Sequence, residues 1–344
     1  MTDVAHLETD AIILAMEKKL RKEYKTAVKE TEKKLLAYML SFVKKDAVWK
    51  ARLLSGDAKM SDYVEWRKSQ IAIGKRWEDM KDALAKDYHN ANMIAKSIVL
   101  GYMPEVYALN YNYGTYQLEH DYAIDTSFTL YSRETVEHLM RDNPTLIPPP
   151  GKRLAKRIAE KKDILWNKQQ LQSLMMQSIL QGESIPKIAK RICLTMGERN
   201  YDNAVRSART MATSAQNAGR QAAYTRVASK GPLKLRKTWV ATLDDRTRHA
   251  HRVLDGQTVD VDKPFEVDGY KLMSPGDMSL GAPGYLIYNC RCTTIGQIEG
   301  FERDTTAYRT DPGYSQMSYE EWKKAKPVYK KKKGNNGRSK GTTE

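Results

Sequence analysis

Tyr201, Val205, Ala208, Ala212, Ala215, Gly219 and Ala222 recur at spacings of four, three, four, three, four and three. Only an α-helix brings positions so spaced onto one face. The seam is narrow and made mostly of small side chains, so another backbone must come close to cover it. A chain with this stretch is therefore committed to helix packing over residues 198–228. Arg206, Arg209, Arg220 and Arg226 lie off the seam, as a solvated face or as a basic stripe.

The rest of the first two thirds reads the same way. Ile13, Met16, Leu20, Tyr24, Val28, Leu35, Met39 and Phe42 imply one long helix over residues 10–45. Gly56 breaks the pattern, and Ser61 serves as the expected cap of a second helix reaching about Leu100. Gly101 and Pro104 punctuate next. Tyr102, Tyr107, Tyr111, Tyr113, Tyr116 and Tyr122 follow, a set better suited to packing helices with wet hydroxyls than to stacking bases. Asn143-Pro144 and Pro148-Pro149-Pro150-Gly151 form the clearest break. Helix is expected from Lys152 to Gln181, ended by Gly182, and a short helix restarts at Ser184 and Pro186. Cys193 reads as a core residue.

After Lys230-Gly231-Pro232 the texture changes. Lys234–Leu243 alternates as a strand does. Phe265–Val267 and Tyr270–Leu272 flank Asp268-Gly269, a two-residue hairpin turn. Arg291–Ile298 reads as a closing strand. The fold class expected is mainly α with a small α+β C-terminal module, long N-terminal helices and a disordered basic C-terminal tail. The linear regions are 1–150 (helical, docking onto other proteins), 151–230 (basic and helical), 231–304 (the α+β module) and 305–344 (the tail).

Charge sharpens this division. The 344 residues carry a net +16, yet residues 1–151 balance at zero. Residues 152–230 carry 16 basic and 5 acidic side chains, and residues 323–344 carry 9 and 1. Positive charge so localised attracts nucleic acid or an acidic protein surface. Lys330, Lys331, Lys332, Lys333, Arg338 and Lys340 are the candidate nucleic-acid contacts. No apolar run approaches the roughly 20 residues of a membrane helix. The run Ala11–Met16 has acidic residues before it and basic ones after it, the wrong order for a secretory signal. Three cysteines exclude a disulfide scaffold and point to a reducing compartment.

Two constellations carry possible chemistry. One is Asp244-Asp245-Arg246-Thr247-Arg248-His249-Ala250-His251 with Leu254-Asp255-Gly256; the other is Asn289-Cys290-Arg291-Cys292. Cys290, Cys292 and His251 make three of the four ligands of a tetrahedral structural zinc site. The plain alternative is two small core cysteines and a histidine bonded to a loop carbonyl. Asp244, Asp245, His249 and His251 also admit a metal-dependent hydrolase, although the acids and histidines are crowded into eight residues. No phosphate-binding loop, dinucleotide fingerprint or nucleophile elbow occurs.

The string from Trp239 through Asp245-Arg246-Thr247-Arg248, His251 and Leu254-Asp255-Gly256-Gln257, then Pro275-Gly276-Asp277 and Asn289-Cys290-Arg291-Cys292, resembles the head-morphogenesis module of tailed bacteriophages, the Mu F-type domain of minor head proteins. The matching core covers about residues 231–300, and the approach helix with Arg209-Thr210 and Asn217 is similar too. The resemblance implies a structural virion protein of low copy number, not an enzyme, at the portal vertex or capsid interior. Its implied partners are the portal, scaffold or major capsid protein and the phage double-stranded DNA, with roles in head assembly and in DNA packaging or ejection, and no membrane. Its motif falls on Asp245, Arg246, Thr247, Arg248, His251, Asp255, Gly256, Asn289, Cys290, Arg291 and Cys292. Some members carry fused toxin domains; the residues after Phe301 are expected to be too short and polar for one. A general DNA-binding protein of the virion interior is the alternative. Asp245, Arg248 and Asp255 are expected to form an ion-pair and turn network, and Gly256 a left-handed position.

Overall fold

A computed structural model describes residues 3–147, 162–301 and 317–329. In chain order the elements are α1 (Val4–Leu40), α2 (Val43–Leu54), α3 (Met60–Arg67), a π-helical turn (Lys68–Ala72), α4 (Lys75–Tyr122), α5 (Arg133–Asp142), α6 (Lys162–Leu180) and α7 (Ile185–Ala228). They continue as β1 (Leu235–Val240), α8 (His249–Leu254), β2 (Thr258–Asp260), β3 (Phe265–Val267), β4 (Tyr270–Leu272), α9 (Gly284–Ile287), β5 (Thr293–Ile298) and α10 (Tyr319–Ala325). Long helices followed by a small sheet module match the expected class.

The chain divides into two compact units, each assembled from three stretches: Met1–Met103, Pro149–Ser214 and Pro275–Arg291 in one, Pro104–Pro148, Ala215–Ser274 and Cys292–Glu344 in the other. Within the first, α1 buries Met16, Leu20, Tyr24, Leu35 and Met39, the face read from the sequence, while Ile13 and Val28 are half-buried. Polar contacts set the register of this packing. The Tyr24 hydroxyl donates to Asn92 Oδ1 at 2.6 Å, Asn92 Nδ2 to Asn200 Oδ1 at 3.1 Å, and Asn200 Nδ2 to Asn167 Oδ1 at 3.1 Å. Four helices are thus tied by three buried or half-buried side-chain bonds.

Four helix boundaries differ from expectation, the first being that the helix expected over residues 10–45 ends at Leu40 and a new one starts at Val43. The expected second helix is three pieces: α3, the π-helical turn, and α4, which begins after Gly74 in the left-handed region at φ +98°. The cap of α3 is Lys59, whose N–H donates to the Asp62 carboxylate at 3.4 Å; Ser61 lies inside the helix. Further on, α4 does not stop at Gly101 and Pro104 but runs 48 residues through both. A proline there removes one backbone bond and costs about 3 kcal/mol. Met103, Val106, Tyr107, Asn110 and Tyr111 are all buried around it, and that packing outweighs the loss. Likewise Ser184 and Pro186 open not a short helix but the 44-residue α7, because a proline in the first turn costs nothing.

The second unit holds the sheet. β1 lies between β2 and β5, antiparallel to both, with Thr238 opposite Thr258 and Trp239 opposite Thr294. β3 and β4 form the hairpin read from the sequence, and Asp268 and Gly269 at φ 52° and 76° make its turn. Tyr107, Tyr111, Tyr113 and Tyr116 are buried, so the tyrosine stretch packs helices. Gly219 explains the small-residue seam of α7. A Cβ there would stand 2.5 Å from the Tyr107 carbonyl oxygen and 3.0 Å from the Tyr111 nitrogen.

Residues expected in the tail contain a packed helix instead. Trp322 of α10 is fully buried, and its Nε1 donates to Glu119 Oε2 at 2.6 Å. Lys326 reaches the same carboxylate at 2.8 Å. Tyr319, Trp322 and Lys326 supply enough apolar contact to dock a segment of only seven helical residues.

Candidate functional site

The motif residues occupy the loop after β1, α8 with the turn that follows it, and the segment before β5. After β1 the chain turns at Asp244–Thr247 before α8. Asp244 Oδ1 accepts the Arg246 N–H at 3.0 Å and the Thr247 hydroxyl at 3.1 Å. Thr247 Oγ1 also bonds the Thr242 carbonyl, and Arg252 donates to the Asp244 and Thr247 carbonyls at 2.9 and 3.2 Å. This turn network rests on Asp244, Thr247 and Arg252, whereas Asp245 stands exposed. Arg248 is the half-buried N-terminal flank of α8. The short spacing of Asp244 to Thr247 is the signal for an Asx-type turn that identifies the acceptor.

Asp255 and Gly256 close the loop onto β1. Asp255 Oδ1 accepts the Ala241 N–H at 2.8 Å, and Gly256 N donates to the Trp239 carbonyl at 2.9 Å. Gly256 sits at φ +76°, the left-handed conformation that favours glycine. The loop thereby places His251 in the interior, 3% exposed, with its ring edge-on to Trp239 at 6.0 Å.

The Asn289-Cys290-Arg291-Cys292 segment is clamped by α7. Thr210 Oγ1 accepts the Asn289 N–H at 3.2 Å, and the Thr213 hydroxyl donates to the Cys290 carbonyl at 2.5 Å. Next along the helix, Gln216 bonds Thr293 Oγ1 at 3.1 Å, and Asn217 Nδ2 donates to the Cys292 carbonyl at 3.1 Å. Arg220 Nη1 and the Tyr224 hydroxyl donate to the Thr294 carbonyl at 3.0 and 3.1 Å. Positions 210, 213, 217, 220 and 224 repeat the three-four spacing of the seam one step round the helix. Thr210 and Asn217 belong to the family resemblance, and the polar periodicity of α7 is the signal for the others. Arg220 is therefore a buried clamp, also bonded to Asn110 Oδ1 at 3.1 Å. Arg209 pairs with Glu17 at 2.7 Å, and Arg226 donates to the Ser127 carbonyl at 3.3 Å. Three of the four arginines thus serve the fold rather than a free basic stripe.

Cys292 Sγ lies 3.3 Å from His251 Nδ1. Cys290 is the next residue but one along the chain, so the backbone itself carries it to the same place. The ligand atoms of His251, Cys290 and Cys292 all lie within 4.8 Å of one another, and all three residues are buried. Among the described residues this is the one group of three or more metal-capable side chains. Asp244, Asp245 and His249 do not join it, and His249 is exposed, so the carboxylate-rich hydrolase arrangement does not assemble. Asn289, at φ 55°, provides the left-handed turn before the cysteines. Arg246 is exposed and Arg291 half-buried. Asp277 is buried and accepts the Ser279 N–H and hydroxyl, both at 2.8 Å. Lys330–Lys333, Arg338 and Lys340 lie outside the described residues.

Residues 169–295 match the family described as Phage Mu protein F like protein, and the chain carries that domain. The match starts in α6, ahead of the motif-bearing stretch, and so takes in the whole clamping helix. The chain is homologous over 92% of its length to the minor head protein GP7 of Bacillus phage SPP1, at 25% identity and with 94% of that protein covered. It is also 31% identical over 208 residues to a protein of Enterococcus faecalis named NAD(+)--arginine ADP-ribosyltransferase EFV. That similarity takes in 60% of this chain, which spans only 40% of the Enterococcus protein. No solved structure matches the chain.

Proposed function

We propose that this protein is a structural minor head protein of a tailed bacteriophage, built into the virion at the portal vertex. The observation that carries the reading is the end-to-end similarity to a minor head protein, 92% of this chain against 94% of the relative. Similarity confined to the domain would be compatible with any protein bearing it. Similarity across the N-terminal helices as well supports a shared role. The Enterococcus relative matches over less than half of its own length, so the activity in its name is a property of that protein. Long helices with buried seams and half-exposed flanks are suited to docking against other helical proteins. No helix among the described residues is long and apolar enough to cross a membrane.

The test is light scattering coupled to size-exclusion chromatography, with this protein mixed with the portal protein from the same genome. A complex that survives ~0.5 M salt, where the Debye length falls to roughly 4 Å, supports a specific and largely apolar docking surface. No complex at low or high salt, together with absence of the protein from purified virions, removes the reading. DNA contact inside the particle is a second reading, favoured by the basic excess after residue 323.

A further inference from the structure

We propose that His251, Cys290 and Cys292 bind one zinc ion that staples α8 to the segment leading into β5. The inference is independent of the head role, since it concerns what holds the module together.

Three observations carry it. The first is donor chemistry: two thiols and an imidazole are the set that zinc prefers over magnesium or calcium. The second is spacing. With zinc bonds of about 2.3 Å to sulfur and about 2.0 Å to nitrogen, tetrahedral donors stand roughly 3.5–3.8 Å apart. Cys292 Sγ and His251 Nδ1 are 3.3 Å apart, and all three donor atoms fall within 4.8 Å, so small side-chain rotations close the set. The third is preorganisation. The carbonyls of Cys290 and Cys292 are held by Thr213 and Asn217, and the C-terminal end of α8, the helix carrying His251, is tied to the end of β1 and the residue after it by Asp255 and Gly256. Backbone restraint of this kind fixes ligands before the ion arrives.

Charge balance also fits a buried site. Zinc displaces a proton from each thiol, and two thiolates with a neutral imidazole cancel the ion's two positive charges. A neutral cluster avoids the large cost of burying net charge. Binding should therefore release about two protons. A hydrogen-bonded Cys-His pair would need only one thiol; the second buried thiol beside the same imidazole is what a thiolate site adds.

The full-length chain, expressed with zinc in the medium and purified without chelator, should contain about one zinc per chain by elemental analysis. Chelation should lower the melting temperature, and added zinc should restore it. Cobalt added to the stripped chain should give a thiolate charge-transfer band and the visible bands of tetrahedral coordination. His249→Ala should keep the metal, whereas Cys292→Ser should lose it. Where Cys292→Ser fails to fold, the cobalt spectrum of the unaltered chain decides the matter. Zinc below ~0.1 per chain, with no cobalt band, would overturn the proposal and leave two core cysteines packed against a histidine.

Discussion

Gly219 shows how a single missing side chain sets a fold. A Cβ at this position meets the Tyr107 carbonyl at 2.5 Å, and backbone cannot step aside as a flexible side chain can. Gly219→Ala should therefore destabilise the chain by about 1–3 kcal/mol, the usual cost of overpacking, read from urea denaturation. Gly256→Ala has open space around it but a positive φ, so its cost is conformational and smaller. Cys193 illustrates burial acting on an ionisable group. It is 1% exposed, and burial pushes its thiol from about 9 up to about 12. The folded value lies above the unfolded one, so this contribution is complete below pH 9 and fades as pH rises towards 12. Thiol reagents at pH 8 should leave Cys193 unmodified until denaturant is added, and Cys193→Ala should weaken the alkaline loss of stability.

At the scale of elements, docking depends on a few buried polar groups as much as on apolar faces. Glu119 is fully buried, and it accepts the Thr126 N–H at 2.9 Å, the Trp322 indole at 2.6 Å and the Lys326 ammonium at 2.8 Å. Glu119→Ala would leave the buried Trp322 indole without its acceptor and the Lys326 ammonium with only Asp125, at 3.2 Å, a change that costs about 1–3 kcal/mol. The expected result is a lower melting temperature and a red shift of Trp322 fluorescence as α10 detaches. An unchanged spectrum would show that apolar contact alone holds this helix. The polar stripe of α7 works by the same logic. Its side chains occupy carbonyls of a segment that is only partly in a strand, and so satisfy groups that burial would otherwise leave unpaired. These contacts were hard to read beforehand, because Thr, Gln, Asn and Arg at helical spacing look like a solvated face until a partner segment is known.

Across the whole molecule, the basic excess after residue 323 is divided between two situations. Lys323 and Lys324 belong to α10 and Lys326 to its docking site, whereas the lysine run begins at Lys330. Deleting residues 330–344 should spare the fold and flatten the salt dependence of duplex DNA binding, measured by titration at several salt concentrations. An unchanged slope would place any DNA contact elsewhere. Composition, the helical and strand periodicities, the Asp268-Gly269 turn and the family resemblance were all legible in the sequence. Each depends on neighbours within a few residues, where backbone geometry maps spacing directly onto a face or a turn. The continuity of α4 through Pro104, the docking of α10 and the burial of Arg220 were decided only in three dimensions. In each case a local preference was outweighed by contacts between residues far apart in the chain. The convergence of His251 on Cys292 across 41 positions is of the same kind. Spacing names the donors, but only packing brings their atoms together.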